Sequence, residues 1–348
     1  MWPTLTWWPG IDDATEKTMR LSDLGEFELI DLITHHQPDA HGRLLKGIGD
    51  DCAVIDGGGN SATLITVDTM VEGVHFSLET STPEGLGAKL LAVNLSDIAA
   101  MGGTPTEVFL AISASPDSDA TIIERMVGGL QTSGARFGVQ LAGGDTTATD
   151  GPLVLSLTAV GACPVDEVVY RSGAVPGDAV YVTGTPGDSA AGLAVSKGVD
   201  GVTPAYREML LRRHLRPEPR VEAGRDLSTR KVASSMIDVS DGLGGDLRHI
   251  CRASGVDMVI DPDRLPISEA LGAFCDTSGQ NPIDMVLGGG EDYELAFTTC
   301  KHNFAVEASF ECRLSYIGTV TEGVGEVRIG TVGSSQRYEK KGFDHYSR

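Results

Sequence analysis

Apolar residues along this chain arrive in short runs that switch between two periods. Glu26 to His35 carries Phe27, Leu29, Ile30, Leu32 and Ile33 close to helical spacing, which predicts a helix. Ala62 to Val67 reads as a strand that follows a Gly57-Gly58-Gly59-Asn60 turn and ends at Asp68. Thr82-Pro83-Glu84 reads as a helix start: a capping hydroxyl, Pro at the first position and an acid at the positive end of the helix dipole. Leu86, Leu90, Val93, Asp97 and Met101 follow at spacings of four, three, four and four. This places Asp97 on the inward stripe, and Gly102-Gly103 is expected to stop the helix.

The same reading predicts strands over 107–114, 139–143, 153–161, 179–183, 232–237, 256–260, 293–299 and 314–319. It predicts helices over 118–137, from Asp188, from Thr203-Pro204, and after Ser240, which is taken as a cap. Strands and helices alternate in both halves, so the fold class is α/β (α+β). A length of 348 residues predicts two domains, with a boundary near Cys163-Pro164.

Composition narrows the partners. A net charge of −22 excludes nucleic acid and anionic membrane surfaces as expected partners. None of the six Cys forms a C-x-x-C pair, which predicts reduced thiols rather than a zinc knuckle or redox motif. No basic-led signal segment and no apolar run of about 18 residues occurs, so a cytoplasmic location is expected. All three Trp (Trp2, Trp7 and Trp8) sit in an N-terminal extension, residues 1–24.

The chemistry is suggested by where the acids fall. Gly47-Ile48-Gly49-Asp50-Asp51 precedes an apolar run, and apolar runs end at Asp68, Asp97, Asp145 and Asp238, with Asp241 close behind. Any one of these could be a cap or turn residue. Six at the ends of apolar elements form the oxygen-only donor set that a hard divalent cation such as Mg²⁺ requires. A lone carboxylate on the inward face, as at Asp97, also needs a cation or several donors as partner. No G-x-x-x-x-G-K-[ST] or helix-opening G-x-G-x-x-G is present, which excludes P-loop and Rossmann sites. Gly143-Gly144-Asp145, Gly184-Thr185-Pro186-Gly187 and Gly288-Gly289-Gly290 could expose backbone N–H groups to anions or be plain turns. Arg171 is a candidate phosphate clamp, and His75 a candidate phosphate-positioning group.

These blocks, together with Ala92-Val93-Asn94-Leu95-Ser96-Asp97-Ile98-Ala99-Ala100-Met101-Gly102, Arg213-His214-Leu215-Arg216-Pro217, Ile237-Asp238-Val239-Ser240-Asp241-Gly242 and Gly289-Gly290-Glu291-Asp292-Tyr293, resemble the thiamine-monophosphate kinases. That family belongs to the aminoimidazole ribonucleotide synthetase-like ATP-binding superfamily, and the resemblance runs from about residue 25 to the Lys341-Gly342-Phe343 tail. It implies a two-domain fold, each domain a mixed sheet with flanking helices. Residues 25–163 would bind ATP and Mg²⁺ and form a homodimer; residues 164–348 would complete the ATP and thiamine phosphate sites. The implied reaction is ATP-dependent phosphorylation of thiamine phosphate to thiamine diphosphate, with K⁺ as a further candidate cofactor.

Carried over to this sequence, the resemblance implies metal ligation by Asp51, Thr66, Val67, Asp68, Asp97, Asp145, Asp238 and Asp241, the position of Val67 offering only a backbone carbonyl. Asp97 and Asp238 would be catalytic; Gly144, Asp145, Arg171 and Ser240 would touch ATP; His75, Glu291 and Phe343 would hold thiamine phosphate. The rivals are a selenophosphate or aminoimidazole ribonucleotide synthetase and a non-catalytic Ca²⁺-binding module. The opening residues lack the reactive Cys and Lys expected of selenophosphate synthetase, and no EF-hand loop is present.

Overall fold

The structure is a computed structural model that describes residues 21, 24–34, 42–301, 312–340 and 346. Two compact units are distinguished: residues 1–38 with 344–348, and residues 39–343. The first contributes α1 (Glu26–Thr34), which fits the helix expected there. Trp2, Trp7, Trp8 and Phe343 lie outside the described residues.

The larger unit opens with β1 (Leu44–Lys46), β2 (Ala53–Gly58) and β3 (Ser61–Val71). Next come α2 (Pro83–Ala100), β4 (Thr104–Ala114), α3 (Ala120–Phe137), β5 (Gln140–Ala148) and β6 (Val154–Pro164). The six strands form one mixed sheet, ordered β1-β2-β3-β6-β4-β5, in which only β4 and β5 run parallel. Thr82 caps α2 by accepting from the Gly85 amide, and Gly102 follows the helix at φ 71, as its residue types predict. Leu90, Leu91, Leu95 and Ile98 of α2 are fully buried with Leu64 and Leu155 of the sheet. Helices α2 and α3 cross at van der Waals limits: a Cβ on Gly87 would lie 1.9 Å from the Met126 carbonyl, and one on Gly129 2.2 Å from that of Glu84. Glycine is the residue that lets these backbones meet.

A second set of elements follows: β7 (Ala179–Thr183), α4 (Asp188–Ser196), α5 (Pro204–Leu215), α6 (Val221–Thr229) and β8 (Ser235–Val239). Then come α7 (Leu243–Ser254), β9 (Val256–Ile260), α8 (Glu269–Ser278), α9 (Pro282–Gly288), β10 (Glu294–Thr299), β11 (Leu314–Glu322), β12 (Val327–Thr331) and β13 (Ser334–Arg337). Their seven strands form a second mixed sheet, ordered β13-β12-β9-β11-β7-β10-β8, with β9 and β12 its parallel pair. Strands β7 to β10 are buried along their whole length, as the continuous apolar runs predict. Helix α2 packs on the first sheet and also touches β8 and β10 of the second, so its C-terminal turns lie between the two.

Two local expectations fail. Strand β8 runs from Ser235 to Val239 rather than over 232–237, so Asp238 lies within the strand instead of at its end. Ser240 does not cap α7; Gly242 occupies that position, and its amide donates to Asp246 Oδ2 at 3.1 Å. An acid inside the first turn reaches back to the free amide, which removes the need for a capping hydroxyl. Among the described residues no helix is long and apolar enough to cross a membrane.

Candidate active site

Three carboxylates from distant parts of the chain meet beside α2. One oxygen each from Asp51, Asp97 and Asp238 lies within 4.8 Å of the other two. Asp51 comes from the turn before β2, Asp97 from α2 and Asp238 from β8, where it pairs with Leu295 of β10. The α2 sequence Asn94-Leu95-Ser96-Asp97 joins them. Asn94 Oδ1 accepts from the Asp68 amide at 3.2 Å, Ser96 Oγ donates to Asp238 Oδ2 at 2.7 Å, and Asp97 Oδ2 accepts from Thr66 Oγ1 at 2.5 Å. Thr66 and Asp68 are two apart on β3 and share the face toward α2, whereas Val67 points to the opposite face and is 57% exposed.

Electrostatics sharpen the picture. Burial, then the charge of Asp51, pushes the Asp238 carboxyl up to about 8. Burial, then Asp241 and Asp51, lifts Asp68 to about 6. Asp97 is held well above the ordinary carboxylate range by burial, Asp68, Asp238 and Asp51. A neighbour enters that the sequence reading passed over: Asp246 is buried in the first turn of α7 and is raised well above the usual range by burial, Asp241 and Asp238. Burial and Asp51 also raise Asp50. Cys52 beside them keeps its proton, its thiol pushed well up by burial and the surrounding acids.

Two cations offset part of this, Lys46 with its Nζ 3.6 Å from Asp50 Oδ2 and Arg171 beside Asp51. Arg171 forks onto Asp51 Oδ1 through Nη2 at 2.6 Å and Nε at 3.2 Å, and its amide donates to Asp50 Oδ1 at 3.0 Å. Among the described residues Asp51 Oδ2 is buried without a hydrogen-bond partner, and Asp50 Oδ2 has only Lys46 at ion-pair distance. An oxygen-only, under-neutralised cluster with an orphaned acceptor has the donor chemistry that fits Mg²⁺.

Around the cluster lies a second group. Glu291 and Tyr293 hold left-handed φ values of 63° and 52°, uncommon for residues with side chains and frequent at functional sites. The turn is pinned by the Glu291 amide on the Ser240 carbonyl at 2.7 Å. Gly290 is required there, because a Cβ would sit 2.6 Å from that same carbonyl. Glu291 receives Lys89 Nζ at 2.8 Å from α2 and lies 3.4 Å from His214 Nδ1 of α5. Burial and Lys89 hold His214 down at about 4, so it is neutral at physiological pH. Lys89 carries no signal in the sequence, and His214 stands in the Arg213–Pro217 block without a role assigned to it. His75 lies in the turn after β3, its Nδ1 accepting from the Val71 amide at 3.0 Å.

Two expectations are rearranged. The Gly184–Gly187 turn does present amides at the start of α4, but they are taken by the chain's own Asp292. Its carboxylate accepts from Gly187 at 2.7 Å and from Ser189 at 3.1 Å. Gly144 and Asp145 lie on β5, exposed, at the far edge of the first sheet. The row Asp68–Leu157–Leu110–Gly144 spans three strand steps, about 14 Å. Within one chain they do not join the carboxylate cluster.

Family models for the AIR synthase related protein match this chain twice, the N-terminal domain over residues 49–163 and the C-terminal domain over residues 175–330. The thiamine-monophosphate kinase of Salmonella typhimurium is 41% identical over 334 residues, covering 93% of this chain and 98% of that protein. The chain belongs to the thiamine-monophosphate kinase family. The thiamine-monophosphate kinase of Bacillus subtilis is 37% identical, covering 93% of this chain and all of its own length. Among solved structures, one described as "AaThiL complexed with AMPPCP and TMP" is 35% identical, with a TM-score of 0.83 over 95% of this chain and 100% of its own. The two mixed sheets with flanking helices seen here are the thiamine-monophosphate kinase architecture expected from the sequence.

Proposed function

We propose that this protein transfers the terminal phosphoryl group of ATP to thiamine phosphate, giving thiamine diphosphate and ADP. The observation that carries the reading is the meeting of Asp51, Asp97 and Asp238 within 4.8 Å in a member of this kinase family. The complex of a similar protein with an ATP analogue and TMP supports both substrates.

Asp51, Asp68, Asp97, Asp238 and Asp241, with Thr66 and the Val67 carbonyl, are the residues that would hold Mg²⁺, and K⁺ is a further candidate. Bound Mg²⁺ supplies the positive charge that lets two phosphate-bearing anions approach in a protein of net charge −22. Thr66 and Ser96 orient Asp97 and Asp238 by hydrogen bonds, so the oxygens are preset rather than collected on binding. Arg171, already beside the cluster, is placed to exchange Asp51 for a phosphate oxygen, and Ser240 lies in the same turn system. Glu291, set by Lys89 and His214, and His75 are assigned to thiamine phosphate, together with Phe343. The acceptor phosphate has a second pKa of about 6 and is ionised at neutral pH, so no side chain need act as general base.

Residues 25–163 are assigned to ATP, Mg²⁺ and pairing in a homodimer; residues 164–348 complete both substrate sites. The homodimer reading is supported by the open face of the first sheet, where Val67 and Phe109 are 57% and 42% exposed. Gly144 and Asp145 are assigned to ATP where a second copy covers that sheet.

The test is the reaction itself. Purified protein with ATP, Mg²⁺ and thiamine phosphate should release ADP and form thiamine diphosphate in equal amounts. ADP release that is indifferent to thiamine phosphate would overturn the assignment.

A further inference from the structure

The protein is strongly acidic, yet six of its 27 basic side chains crowd one cavity. Arg136, Arg212, Arg213, Arg216, Arg220 and Arg313 line about 540 Å³ of space beside the Gly184-Thr185 turn. They come from the last turn of α3, the end of α5, the start of α6 and the entry to β11. None belongs to the carboxylate cluster.

Their counter-charges are few. Glu218 takes Arg136, at 2.5 Å. Glu294, buried beneath, takes Arg220 through two bonds of 2.6 and 2.5 Å and reaches Arg213 at 3.5 Å, with Asp188 3.9 Å from Arg213. Arg212, Arg216 and Arg313 make no salt bridge among the described residues, Arg216 having only the longer-range charge of Glu84. The Arg213 Nε is buried without a hydrogen-bond partner. The α5 dipole accounts for cations in its last turn, Arg212 and Arg213, but not for those that α3 and the β11 entry bring to the same space. The cavity keeps a surplus of positive charge in a protein whose long-range field is negative. Salt screens that field over about 8 Å at physiological ionic strength, so the local guanidiniums govern what enters.

We propose that this cavity is a second anion site that takes a diphosphate group. Planar guanidiniums match phosphate oxygens in pairs, and three without an internal partner are available to do so. The volume falls in the range of small-molecule sites, about 300–1,000 Å³, which is more than a halide or a lone monophosphate fills. ADP, thiamine diphosphate and inorganic diphosphate share the recognised group.

The experiment is titration calorimetry of the full-length protein in EDTA with inorganic diphosphate. Chelation leaves the acidic cluster without a cation, so binding there is suppressed and the arginine cavity is read alone. Saturable binding is expected, weakened at least tenfold in Arg212→Gln/Arg216→Gln and unchanged in Asp97→Asn. Arg313→Gln removes an unpaired guanidinium from another element and should weaken binding in the same sense, which guards against a misfolded double variant. Parallel titrations with ADP and thiamine diphosphate name the source: the ester that binds tighter than inorganic diphosphate is the occupant, and equal affinities assign the site to the diphosphate group alone. Absence of saturable binding, equal affinity in wild type and both arginine variants, or equal displacement by chloride at the same ionic strength overturns the proposal.

Discussion

Asp97→Asn should stabilise the metal-free protein while crippling its chemistry. The substitution keeps the acceptor for Thr66 Oγ1 and removes one charge from a cluster whose oxygens lie within 4.8 Å of one another. Two full charges at that separation repel by about 3 kcal/mol at an effective dielectric constant of about 20. Protonation already relieves part of this, because burial and the neighbouring acids hold Asp97 well above the ordinary range. The expected gain is therefore about 1–3 kcal/mol, which at about 2–4 °C per kcal/mol raises the melting temperature in EDTA at pH 8 by about 2–12 °C. In the same variant kcat/KM should fall at least about a hundredfold, a barrier increase of about 2.7 kcal/mol. Calorimetric melting in EDTA and a coupled ADP assay give the two readings. A variant that melts lower than wild type without metal, and turns over within tenfold of it, refutes the reasoning.

Three further outcomes follow from the same contacts. The raised carboxyls of Asp68, about 6, and Asp238, about 8, contribute stability that is intact in acid and lost as pH rises through those values; His214, held at about 4, acts oppositely, losing stability as pH falls below about 6.5. The melting temperature in EDTA should thus drop from pH 6.5 to 8.5, and Mg²⁺ should restore more at 8.5; a flat or rising metal-free profile contradicts this. Arg171→Lys loses the two-pronged contact to Asp51 and should raise KM for ATP about tenfold, about 1.4 kcal/mol, with KM for thiamine phosphate little changed. Arg220→Met leaves the buried Glu294 carboxylate only Thr183 and the longer Arg213 contact and should cost up to about 3–5 kcal/mol in urea unfolding; a loss below about 1 kcal/mol would show that the pair carries no such burden.

Much of the framework was legible before the structure. The Thr82-Pro83 cap and the apolar spacing behind it placed α2 and turned Asp97 inward, because capping and helical periodicity are local properties. The buried strand β7 was bounded correctly by its apolar run. What escaped was non-local or unsignalled. Helix α6 follows Arg220, whose side chain makes no capping bond, so nothing in the sequence announces it. Helix α9 opens on Pro282 behind an Asn281 cap but has only seven residues, too few to show a period. Strands β12 and β13 are short and half exposed. At the site, the acids were visible as a set, but the partners of Glu291 were not: Lys89 and His214 reach it from α2 and α5 only through tertiary packing. Asp292, next to Glu291 in the same block, carries no signal of its role in the sequence, and packing commits it to the α4 amides.

The central claim is that acids from both halves of the chain hold divalent cations between two phosphate groups. Anomalous scattering from a crystal grown with Mn²⁺, a non-hydrolysable ATP analogue and thiamine phosphate tests it directly. Peaks bonded to Asp97 and Asp238 and bridging to phosphate oxygens of both ligands are the predicted result; metal peaks elsewhere, with these carboxylates left bare beside bound nucleotide, would contradict it.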